Sequence, residues 1–261
     1  MHKMPVIFVG HGSPMNAIET NAYTESWSAF REHIPERPRA ILMFSAHWIA
    51  TWETRISTAS HPEMIYDMYG FPEELYRVRY DAPGAPGIAT EIRDILAWQG
   101  IEVIRDAERG YDHGIWSVLM HIFPDADIPV VQISLDYSAS PQYLYDVGKQ
   151  LSMLREQGIL ILWSGNIVHN LGAIDWSWDR VYPWAVEFDR RIEQGIISRE
   201  YEDIMEFEQW GDMTRLAHPM HDHLLPLFPL LGAVSDADNV NFFTPEISMG
   251  SLSMRSIVWK N

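Results

Sequence analysis

The histidines are the residues of this sequence whose placement asks for a chemical explanation. His11 follows the apolar run Pro5-Val-Ile-Phe-Val9 within Gly10-His-Gly-Ser-Pro14, His47 follows Arg39-Ala-Ile-Leu-Met-Phe-Ser-Ala46, and His169 closes Ile159-Leu-Ile-Leu-Trp-Ser-Gly-Asn-Ile-Val168. Continuous runs of Val, Ile, Leu and Phe next to glycine read as buried strands. Three such runs therefore each deliver an imidazole just past their ends. If the strands are parallel neighbours, the rings converge on one carboxyl rim, where open α/β sheets bind their ligands. A further group, Ala217-His-Pro-Met-His-Asp-His223, sets His218, His221 and His223 ahead of the apolar run Leu224 to Phe228.

The chain has no cysteine. That removes disulfides, thiolate nucleophiles and Cys-ligated zinc or iron–sulfur sites, and leaves any metal to histidine and carboxylate. Neutral imidazoles suit Zn, Fe, Cu or Ni, and two histidines with a carboxylate and open positions suit oxygen-activating ferrous iron. A metal site is the reading that the shared strand-end placement favours. A Ser/His nucleophile pair built on His11-Gly-Ser13 is weak, because the surroundings do not form a Gly-x-Ser-x-Gly elbow. Single histidines are often held in structural hydrogen bonds, and His2, His33, His61 and His121 are read so.

The elements that must position these rings alternate along the chain. A helix is expected around Ala22 to Phe30. The stretch Thr51 to Ser60 reads as extended, and the aromatic Met64 to Pro72 as a long loop, which either walls a pocket for a planar substrate or packs on its own side chains. Pro86 opens a helix that Gly100 stops, and a short strand follows at Ile101 to Arg105. His113 sits in a turn before a helix reaching Phe123. After a strand within Ile128 to Leu135, Ser140-Pro141 starts a helix through Leu154 that ends near Gly158. An acidic amphipathic helix is expected from Tyr182 to about Trp210, and antiparallel edge strands within Ile247 to Trp259. The alternation predicts one α/β domain over residues 1–261, with a largely parallel or mixed central sheet flanked by helices on both faces.

With 261 residues and 47% hydrophobic content, the chain can bury a large core. Its formal net charge of -17 disfavours nucleic acid or an anionic membrane as partner. No apolar stretch approaches the length of a membrane span, and no signal-peptide core precedes the first strand, so a soluble, cytoplasmic protein is expected.

Taken in order, Gly10-His11-Gly12-Ser13-Pro14, Ser45-Ala46-His47-Trp48, Asp112-His113-Gly114, Gly165-Asn166 to His169-Asn170, and His223-Leu224-Leu225-Pro226-Leu227 resemble the class III extradiol ring-cleavage dioxygenases, in their 4,5-DOPA dioxygenase branch. The resemblance spans nearly the whole chain. It implies His11, His47 and His223 as metal ligands, His169 as the acid/base histidine with a fourth ligand as its alternative role, and His113 as a histidine on the substrate side. His218 and His221 fall outside that pattern and are read either as supports behind the ligands or as structural.

The activity implied is insertion of both atoms of O2 into a catechol such as DOPA, with Fe(II) for turnover and Zn(II) as the alternative occupant. Where better-known relatives of this class carry a carboxylate ligand, this sequence has His223. Three neutral ligands also describe catalytic zinc. A zinc-dependent hydrolase and a non-catalytic metal- or peptide-binding protein are therefore the competing readings. The partners implied are a small aromatic diol and O2; oligomeric state is not set by the sequence.

Overall fold

The computed structural model describes residues 2–177 and 180–261. One six-stranded sheet organises it, in the order Val130–Gln132, Ala40–Ser45, Ile159–Gly165, Val6–Gly10, Ser256–Lys260, Asn239–Phe243. The first four strands are mutually parallel, and the last two are joined by antiparallel pairing. The registers Ser45↔Ser164 and Gly10↔Gly165 bring the carboxyl ends of three adjacent strands level.

The apolar runs are continuous because both faces of this sheet are covered. On one face Val6, Phe8, Leu42, Phe44, Ile161 and Trp163 join a core with helices α2 (Pro86–Trp98), α4 (Pro141–Leu151), α5 (Pro183–Ser198) and α8 (Leu227–Ala233). On the other, Ile7, Val9, Ile41, Met43, Leu160 and Leu162 pack with α1 (Ala22–Ala29) and α3 (His113–Ile122). Among the described residues, short helices α6 (Tyr201–Met205) and α7 (Asp212–Ala217) complete the α-helices. The expected α/β architecture with helices on both faces is the observed one.

Three local expectations are corrected. The acidic helix does not run to Trp210: it ends at Ser198, where Arg199 takes a left-handed φ of 62° and turns the chain into α6 and a 3-10 turn at Phe207–Trp210. The helix after Ser140 is α-helical only to Leu151; Ser152–Gln157 is 3-10, closed by Gly158 at φ 76°. Ser256–Lys260 is an interior strand, with Asn239–Phe243 as the true edge beyond it. The backbone N–H of Gly10 donates to Ser256 Oγ (3.2 Å), so a polar, edge-like residue is used inside the sheet.

Arg155 ties the far side of the fold together. Its guanidinium, fully buried, binds both oxygens of the equally buried Asp238 (2.6 and 2.8 Å), and donates to Met4 O and Ala233 O.

Candidate active site

At the carboxyl rim, the strands Val6–Gly10 and Ala40–Ser45 release His11 and His47, and the turn before α8 delivers His223. Potential ligand atoms of these three imidazoles all lie within 4.8 Å of one another. His11 and His223 are buried and His47 is partly so. His47 Nε2 is 3.1 Å from His11 Nε2, and the rings of His11, His47 and His223 are mutually in contact, with centroids 5.0 to 5.4 Å apart.

Two glycines make this approach feasible. A Cβ on Gly165 would stand 2.4 Å from His223 O, the carbonyl that accepts from Asn166 N (2.9 Å). A Cβ on Gly114 would stand 2.6 Å from Ser45 Oγ and 3.0 Å from His47 Cδ2. Substitution at either position would push a histidine-bearing segment out of place.

The donor set fits a cation. Burial, then the neighbouring imidazoles, hold His11 and His223 well below the usual histidine pKa, and burial and His113 bring His47 down to about 4. The rings are therefore neutral near pH 7 and offer lone pairs. His11 Nδ1 meets Ser164 Oγ at 2.9 Å and His47 Nδ1 meets Asp67 Oδ2 at 3.2 Å. The outer nitrogens are thus engaged while the two Nε2 atoms face each other. His223 Nδ1 lies 3.2 Å from Asp222 Oδ1 but makes no hydrogen bond.

The remaining histidines sort by position. His113, at the first turn of α3, contacts the rings of His11 (5.5 Å) and His47 (4.0 Å). His169 stacks on His223 with centroids 3.5 Å apart, and its backbone is fixed by Ala217 O and by a bridge to Leu252. Burial, followed by His223 and His218, holds the pKa of His169 well below the ordinary value. His218 is buried and bonds Ile167 O (2.7 Å), and His221 packs against Phe207 beside Glu208.

Among the carboxylates at the site, Asp67 and Asp112 are given no role by the sequence. Asp67, in the aromatic loop, reaches both His47 and His113. Asp112 is fully buried; it accepts from Ser45 Oγ (2.7 Å) and pairs with Arg109, which also reaches His47 O. The loop partly packs on the core through Met64, Tyr66, Met68 and Phe71, so its packing role is the one on view. Its aspartate had only that loop's unusual composition as a signal.

The sequence matches the family of the catalytic LigB subunit of aromatic ring-opening dioxygenase over residues 4–257. The chain belongs to that family. The LigB-family chain is 40% identical over 260 residues to the 4,5-DOPA dioxygenase extradiol of Escherichia coli (strain K12), covering 98% of this chain and 94% of the relative. It is 37% identical to the 4,5-DOPA dioxygenase extradiol of Beta vulgaris, covering 88% and 86% respectively. The crystal structure of an uncharacterized protein from Escherichia coli K12 superposes with a TM-score of 0.84 at 37% identity, covering 98% of this chain and 99% of that one. This LigB-family protein is an extradiol ring-cleaving dioxygenase, a non-haem metal-dependent enzyme acting on an aromatic substrate and O2. Neither a hydrolase nor a non-catalytic binding protein finds a counterpart among these relatives. Among the described residues no helix is long and apolar enough to cross a membrane.

Proposed function

We propose that His11, His47 and His223 hold one Fe(II) and that the enzyme opens a catechol of the DOPA type beside its diol, giving a semialdehyde. The observation that carries this reading is the convergence of three neutral imidazoles within 4.8 Å on the carboxyl rim. The 4,5-DOPA dioxygenase extradiol relatives support the substrate class. Bound ferrous iron would supply the electronic coupling between the aromatic diol and dioxygen that neither has alone.

The chain's own residues handle binding and protons. His169, neutral and lying against His223, accepts a proton from a substrate hydroxyl and later returns one to the opened product, whose two new oxygens both come from O2. His113 faces the substrate from the opposite element, α3, and orients the second hydroxyl. Zn(II) is the second reading for the metal, favoured by a trio with no carboxylate member. The charge of -17 supports an enzyme without nucleic acid or anionic membrane as a partner.

The test is metal analysis of anaerobically purified protein, combined with oxygen uptake on a catechol panel including DOPA. Iron-dependent uptake with a yellow ring-opened chromophore is expected. Zinc retention with no oxygen consumption would overturn the proposal.

A further inference from the structure

Asp67 lies in the aromatic loop, 46 residues ahead of His113, yet its carboxylate is placed with care. Oδ1 accepts from His113 N at 3.1 Å and stands 2.9 Å from His113 Nδ1, while Oδ2 stands 3.2 Å from His47 Nδ1. The two residues that lead into Asp67 are held in place: Ile65 N donates to Tyr111 O (2.7 Å), Trp116 Nε1 to Ile65 O (3.1 Å), and Tyr66 OH to Val78 O (2.7 Å). Asp112 stands at the start of α3, but its own side chain makes no capping bond. Asp67 thus brings a carboxylate to the first backbone N–H of α3, where a helix N-terminus favours negative charge.

We propose that Asp67 is a positioning residue that sets two site imidazoles at once, one on the metal side and one on the substrate side. The proposal rests on the roles given above to His47 and His113. An ionised carboxylate only accepts hydrogen bonds. Both rings, when neutral, must then carry their proton on Nδ1, which fixes ring rotation and leaves Nε2 with its lone pair toward the site.

Asp67→Asn preserves the shape but turns one acceptor into a donor. If the new amide NH2 faces His47, that ring must move its proton to Nε2, where it can no longer offer a lone pair. The expected result is metal affinity lower by about 10- to 100-fold in a chelator competition titration, and a fall in kcat of similar size with a smaller change in KM. In a His113→Gln background, the kcat cost of Asp67→Asn should shrink while the affinity cost, carried by His47, persists. Unchanged metal affinity and kcat in a folded Asp67→Asn protein would overturn the proposal.

A measurement that needs no Asp67 variant guards against misfolding. Nitrogen-15 histidine spectra of metal-free wild-type enzyme should show the Nδ1–H tautomer for His47 and His113, and Nε2–H at either ring would overturn the assignment. These spectra read Asp67 even where the wild type proves to bind no iron or to open no catechol, an outcome that would refute the proposed function instead.

Discussion

The imidazole of His169 lies flat on that of His223, with planes 4° apart. The proposed proton carrier and the proposed ligand are thereby one stacked unit, so replacing His169 tests both roles. His169→Phe should keep the stacking surface and the metal while lowering kcat by roughly a hundred- to ten-thousand-fold, the usual contribution of a positioned acid/base. Metal content and steady-state rate measured on the same preparation decide this. Loss of metal from that variant would make His169 a fourth ligand and pass the proton to His113.

The three histidines between residues 218 and 223 should be unequal. His223→Ala is expected to abolish metal binding. His218→Ala leaves Ile167 O without its buried donor and should cost about 1–3 kcal/mol of stability with metal retained. His221→Ala, at an intermediate position beside Glu208, should change little. Metal analysis with thermal melts on the three proteins separates these outcomes, and equal metal loss in all three would refute the assignment of His223.

Gly165→Ala adds a methyl where 2.4 Å separates it from His223 O. The variant is expected to lose metal affinity out of proportion to any fall in Tm, because the displaced carbonyl belongs to a ligand candidate. A chelator titration beside a melt checks it; affinity and Tm falling together as in a general core defect would count against the argument.

Acid stability should depend on Asp238. Burial pushes its carboxyl up, but the hydrogen bonds from Arg155 and Ser235 N outweigh this and hold it below its ordinary value. Its contribution is therefore full above the unfolded carboxylate pKa of about 3.9 and is lost as pH falls below that toward the folded value. Asp238→Asn leaves the Arg155 charge buried and should cost about 3–5 kcal/mol at neutral pH. The variant's stability should also fall less steeply across that acid window. Urea unfolding from pH 7 to pH 3 measures both effects.

The strands behind the site could be read from sequence because a doubly covered parallel sheet leaves uninterrupted apolar runs, and because His11 and His47 follow those runs directly. His223 differs locally from His218 and His221 only in directly preceding Leu224-Leu225-Pro226-Leu227, and only the family resemblance gives that run a meaning. Asp67, Asp112 and Arg109 were not legible. They come to His47 across loops, and no period in the chain encodes which carboxylate of an irregular segment will face inward. Asn239–Phe243 escaped for a different reason: as an edge strand it is partly exposed and carries too weak an apolar signal.

The strand that ends at His11 is held between partners from distant parts of the chain. Ser164, which meets His11, lies 153 positions downstream, and Ser256, which holds Gly10, lies 246 positions from it. A ribosome releases the chain from its N-terminus, so the earliest of the site's histidines waits, its strand unpaired on one flank, until the Ser256–Lys260 segment has emerged. The site therefore forms only once strands far apart in sequence have paired, an assembly dominated by non-local contacts of the kind that folds slowly.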